Sequence, residues 1–229
     1  MAVLFDAGVG ALANASSTLS FSHTVTTAAN RILYVVVGGW DGNGRTATCT
    51  YGGTSMTQEA ISGVSNGGDR VWVFRLAAPA TGANTVAVTI TGGTMHLRGG
   101  AVSWSAAHQT VFGTAVTTVS STNGTSASSA VTDGASGDGI ADGVISGNDA
   151  THVVNGPASH TERWDLTSGG TGESGAGGNS DGAAGSVTVG WTISTSSSWA
   201  HGAVTVKQLA AAGGPAAGLR TFALTGCGL

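Results

Sequence analysis

The sequence predicts an all-β fold, an antiparallel sandwich of two sheets, and three observations carry that expectation. Apolar and hydroxyl residues alternate over whole segments, as in Thr85-Val86-Ala87-Val88-Thr89-Ile90-Thr91, which is the two-residue period of a strand with one face buried. Asn-Gly steps (Asn43-Gly44, Asn66-Gly67, Asn123-Gly124) and other glycines stand between these segments, where tight turns need residues that tolerate positive φ. A convincing helical period is missing, and the Ala210-Ala211-Ala212 run meets Gly213-Gly214-Pro215 before a helix could become stable.

The predicted strands follow in order. Residues 2–6 open the chain, and residues 17–25 set Leu19, Phe21, His23 and Val25 on one face against Ser and Thr on the other. In residues 31–40, Ile32, Tyr34 and Val36 point one way and Leu33, Val35 and Val37 the other, so both faces are apolar. A sandwich strand normally buries one face, so a loop or another subunit is expected to cover the second. Short strands follow at 47–51 and 55–61. Trp72, Phe74 and Leu76 alternate within 69–77, residues 84–91 form the strand quoted above, and Val102 and Trp104 share a face of 97–106. Further strands are expected at 111–119, 126–132, 139–146 and 160–166. The last two are 186–194, where Trp191 stands between Val189 and Ile193, and 200–208.

Two stretches depart from this pattern. Residues 167–185 are so rich in Gly and Ser that they read as a long loop, either a surface excursion or an ordered contact loop. Residues 1–209 then form the sandwich domain and 210–229 a linker and arm. The arm's apolar residues Leu219, Phe222 and Leu224 are the candidate interface, as an edge strand of the same sandwich or by strand addition to a neighbouring subunit.

Composition excludes several classes. A net charge of −4 with 8 scattered Lys and Arg lacks the basic footprint of nucleic-acid binding and any polybasic membrane patch. The N-terminus has no basic region ahead of its short apolar stretch, so it does not read as a secretory signal, and no run approaches a membrane span. With 9% charged residues, the surface suits a protein locked into an assembly or exposed outside a cell. Cys49 and Cys227 read as free thiols.

No catalytic, cofactor or metal site is expected. Asp41-Gly42-Asn43-Gly44 has the look of a calcium loop but lacks the third ligand and closing Glu, and reads as a hairpin turn. Asp133, Asp138 and Asp142 read as solvated strand-end residues. His160, Glu162 and Asp165 form the densest titratable group, yet no nucleophile motif or zinc pair accompanies them. His23 reads as a hydrogen-bonded core residue; His96, His108, His152 and His201 read as isolated. Three of the six Trp, Trp72, Trp104 and Trp191, continue apolar faces and read as core, whereas Trp40 and Trp164 lie next to turns and are candidate platforms for stacking a sugar ring.

Phe5-Asp6-Ala7, Leu19 to Val25, Asn30 to Val37, Thr50 to Thr57, Asn84 to Thr89 and Ser198 to Lys207, taken in order, resemble a family of Gly/Thr-rich β-sandwich domains of bacteriophage structural proteins and bacterial surface proteins. The resemblance spans roughly residues 1–208. It implies a jelly-roll-like sandwich borne on a virion, with no enzymatic residues to transfer. The expected function is that of a decoration (cement) protein on the capsid surface, bound to the major capsid protein as a homo-oligomer. The alternative is a tail-associated receptor- or glycan-binding protein, and a polysaccharide-degrading sandwich ranks behind both.

Overall fold

The computed structural model describes residues 1–40, 44–167, 169–170 and 172–209, and every regular element among them is a strand. The first nine are β1 (Leu4–Ser16), β2 (Thr18–Val25), β3 (Ile32–Trp40), β4 (Thr46–Tyr51), β5 (Thr54–Ser55), β6 (Thr57–Ile61), β7 (Asp69–Ala77), β8 (Gly82–Thr91) and β9 (Met95–Ser105). They form two antiparallel sheets with orders β1-β9-β3-β7-β6 and β2-β8-β4-β5. The remaining eight are β10 (Ala115–Val119), β11 (Gly124–Gly134), β12 (Gly139–Ser146), β13 (His152–Val154), β14 (Thr161–Thr167), β15 (Ser174–Asp181), β16 (Gly185–Ser197) and β17 (Trp199–Val206). Their sheets are β10-β17-β12-β15-β14 and β11-β16-β13.

Each half is an antiparallel two-sheet sandwich, the first with jelly-roll strand order, and the second repeats that order except that its three-stranded outer sheet has no counterpart of β5. Replacing β1, β9, β3, β7 and β6 by β10, β17, β12, β15 and β14 converts the first five-stranded sheet into the second. The five-stranded sheets pack face to face with their strands in opposite order: β1 against β14, β9 against β15, β3 against β12, β7 against β17 and β6 against β10. This reversed pairing is the one an approximate two-fold axis through the β3–β12 contact produces, so the inner sheets meet as the two halves of a symmetric dimer would. The sandwich expected over residues 1–209 is thus doubled.

Four layers make three interfaces. Leu33, Val35 and Val37 of β3 pack with Leu19, Val86 and Val88 of the first outer sheet. Ile32, Tyr34 and Val36, from the other face of β3, pack with Ala141, Ile145, Val204 and Val206 of the second half. The cover over that face is therefore neither a loop nor another subunit but the second half of the same chain. Trp191 and Ile193, with Val187 and Val189 beside them, close the core beneath the second outer sheet. Outer strands such as β2 alternate buried and exposed residues, whereas β12 and β17 are buried along their whole length.

Residues 174–181, expected within a loop, form β15 between β12 and β14. No large apolar side chain marks this strand, because its neighbours take the space such side chains would fill. Trp164 of β14 lies across three glycines, Gly10 of β1, Gly100 of β9 and Gly177 of β15; a Cβ on any of them would come closer than 3.0 Å to the Trp164 side chain. The glycines are what allow one indole to sit between the inner sheets. That placement leaves Trp164 6% exposed and removes it as a sugar platform.

Candidate functional site

Three polar constellations are built into this frame. The deepest surrounds Asp142, which β12 points into the core between the second half's two sheets. Trp191 Nε1 donates to its Oδ2 at 2.7 Å, His201 Nε2 approaches Oδ2 at 3.0 Å and His160 Nε2 approaches Oδ1 at 3.0 Å. Burial alone would raise this carboxyl. The hydrogen bonds and charge of His160 and His201 outweigh burial and hold it below the usual carboxylate range. His201 Nδ1 continues the chain to Ser129 Oγ at 2.8 Å. Asp142 is thus a core residue and His201 is not isolated, unlike what the sequence suggests.

The second constellation aligns Ser146, His152 and Asp165. Ser146 Oγ lies 3.1 Å from His152 Nε2, and His152 Nδ1 lies 2.9 Å from Asp165 Oδ1. The backbone N–H of His152 donates to Asp165 Oδ2 at 3.1 Å. Connectivity alone matches a serine nucleophile, its base and the base's orienting carboxylate. Ser146 is fully buried, however, and its Oγ lies 2.8 Å from Ser174 Oγ, which in turn donates to the Asn148 carbonyl. A substrate carbonyl has no path to this oxygen in the described structure, so the alignment ties β12, β13, β14 and β15 together.

Solvent reaches the third. A cavity of about 300 Å³ is lined by Ala15, Trp40, Thr94, Met95, His96 and Glu173, at the end of the molecule where β3 finishes and β15 begins. Trp40 is 44% exposed. Glu173 is 5% exposed; its Oε1 accepts the Trp40 backbone N–H at 3.0 Å and its Oε2 has no hydrogen-bond partner. Arg98 Nε holds the segment by donating to the Glu173 carbonyl at 3.2 Å. Burial, and then the charge of Asp69, push the Glu173 carboxyl up to about 7, although the Trp40 N–H, Arg98 and Arg45 pull it back. Asp69 is itself raised by burial despite hydrogen bonds from Ser198 and Ser65. Asp69 pairs with Trp40 across β3 and β7, and residue 173 precedes β15 where Asp69 opens β7, so these two acids occupy corresponding places in the two halves. Ala15 on the cavity wall takes φ 48, a left-handed conformation uncommon for a residue with a Cβ.

Of the two predicted platforms, Trp40 alone stands at a solvent-reached cavity, and its partner Glu173 comes from the stretch expected to be a loop. The sequence marks Trp40 by the turn after it, but nothing in it brings Glu173 within reach. His160 and Glu162 do not act together: His160 turns inward to Asp142, while a bulge between Glu162 and Trp164 leaves Glu162 exposed. Asp133 and Asp138 bind Lys207 and nearby backbone groups rather than remaining solvated alone. His23 is buried as expected, with Nε2 3.0 Å from Ser103 Oγ, which donates to Asp6. Cys49 is a buried free thiol, pushed up to about 12 by burial. Leu219, Phe222, Leu224 and Cys227, and the turn residues 41–43, lie outside the described residues. Among the described residues no cluster of three or more His, Cys, Asp or Glu is placed to hold a metal ion.

No protein-family model, curated protein or solved structure matches the chain.

Proposed function

We propose that the chain is a non-enzymatic structural protein of a virion, a decoration (cement) protein that binds the major capsid protein on the head and stabilises it. The observation that carries this reading is the placement of the polar chemistry. The Ser146–His152–Asp165 and Asp142 networks are spent on joining strands, and the outward strands offer Ser, Thr and Gly on a rigid four-layer block. Such a block can clamp neighbours without rearranging, and a protein that binds only the assembled lattice opposes disassembly by mass action. Immunogold electron microscopy of particles whose genome encodes the chain tests the reading. Regular label over the head is expected, and unlabelled particles would refute a virion role.

A second reading, receptor or glycan binding at the tail, is favoured by one specific observation, the exposed Trp40 beside the unpartnered Glu173 oxygen. Label confined to the tail tip would select it. Cleavage of a glycan is disfavoured, because glycoside hydrolysis uses two carboxyl groups flanking the bond. Glu173 is the one carboxylate among the described residues that line the cavity, and Asp69 is wholly buried.

A further inference from the structure

We propose that the cavity bounded by Trp40, Met95, His96 and Glu173 is a carbohydrate-binding site that takes a terminal monosaccharide, with the ring stacked on Trp40 and a hydroxyl donated to Glu173 Oε2. The inference rests on the glycan-binding reading above and names its residues. Its volume, about 300 Å³, is at the lower end of small-molecule sites, which suits one small polar ring. Trp40 supplies an amphipathic aromatic surface at low entropic cost, and it is the most exposed aromatic among the large exposed hydrophobics.

Glu173 supplies the polar anchor. An unpaired buried carboxylate oxygen is costly, and a ligand hydroxyl that donates to it removes the cost. Oε1 is already fixed by the Trp40 N–H, which holds the carboxyl at the cavity wall; Oε2 is itself shielded from solvent, so a ligand hydroxyl reaches it when the carboxyl turns slightly toward the cavity. Held near neutrality, the carboxyl can accept or donate, as a sugar hydroxyl can. An organic cation would also suit a Trp and a carboxylate, but the Arg45 guanidinium already lies 5.6 Å from the Trp40 ring centroid and would repel a second cation.

The test is titration of the full chain with the methyl glycosides of glucose, galactose, mannose and N-acetylglucosamine, and with tetramethylammonium as the cation probe. Binding is read by tryptophan fluorescence and saturation-transfer NMR, and thermal melts report folding. Saturable binding of at least one glycoside is expected, weakened at least about tenfold by Trp40→Ala and several-fold by Glu173→Gln, with both variants melting as cooperatively as the parent. No saturation by any glycoside, undiminished binding by Trp40→Ala, or preference for tetramethylammonium would each overturn the proposal. Head or tail labelling of particles is read separately, so a failed titration leaves the decoration reading standing.

Discussion

The packing of Trp164 on three glycines makes a prediction whose sign can be reversed by design. Gly100 has no positive φ, so alanine there meets no backbone strain, and elsewhere in a strand the change would stabilise by roughly 0.5–1 kcal/mol. Here the added Cβ falls inside contact distance of Trp164 Nε1, Cδ1 and Cε2, with the ring confined from its other sides by Gly10 and Gly177. Gly100→Ala is therefore expected to cost about 1–3 kcal/mol through overpacking. Trp164→Ala removes a buried indole and is expected to cost about 3–5 kcal/mol. At about 2–4 °C per kcal/mol for a chain of this size, its melting temperature should fall on the order of 6–20 °C. In the Trp164→Ala background the alanine at position 100 has room, so Gly100→Ala should become neutral or stabilising, a coupling of about 1–3 kcal/mol. Gly63→Ala, whose Cβ would meet only Val119 at 3.9 Å, serves as the neutral control. Differential scanning calorimetry of the four-member cycle measures all of this. Equal destabilisation by Gly100→Ala in both backgrounds would refute the argument that the glycines exist to seat the indole.

Three other outcomes are expected. Asp142→Asn should destabilise by about 3–5 kcal/mol in urea unfolding, because the amide's N–H groups must oppose Trp191 and His201 on one side or His160 on the other. Glu173 is raised from 4.5 to about 7, so the folded chain keeps its proton longer than the unfolded chain. Its stabilising contribution is full below pH 4.5 and is lost as pH rises through 7; Glu173→Gln should therefore gain on the parent over that window, by up to about 3 kcal/mol at pH 8 in paired melts. His23, lowered to about 4 by burial against the pull of Asp6, has the opposite sign. Its contribution is present above pH 6.5 and lost as pH falls toward 4, so His23→Gln should lose less stability than the parent on acidification, as followed by circular dichroism.

Most strands could be read directly because their side chains announce them. The strands at 17–25 and 84–91 lie in an outer sheet, where one face meets water and the other the core, and their alternation survives in β2 and β8. The double-faced apolar pattern of residues 32–37 also signalled correctly that something must cover both sides. The sequence does not name the cover, because the second half uses Gly, Ala, Ser, Asp and His where the first uses Val, Leu and Tyr. Val36 of β3 corresponds to Gly143 of β12, and an added Cβ at Gly143 would meet Val36 itself at 2.8 Å. The two halves fill one shared interface with complementary sizes, so they look unlike while folding alike.

The candidate site divides in the same way. Local sequence was enough to place Trp40 at the end of a strand. Glu173 lies 133 residues away and reaches the Trp40 N–H only because the inner sheets meet around an approximate two-fold axis. Fold class, the absence of a helical period, the weak charge and the buried fate of Trp72, Trp104 and Trp191 were determined by residue type and spacing alone, since these act through local periodicity. The doubling of the jelly roll, the burial of Trp164 and Asp142, the strand at 174–181 and the pairing of Trp40 with Glu173 were decided by tertiary structure. Each depends on which surfaces face one another, and glycine, the residue that permits the closest approach, leaves no hydrophobic pattern to read.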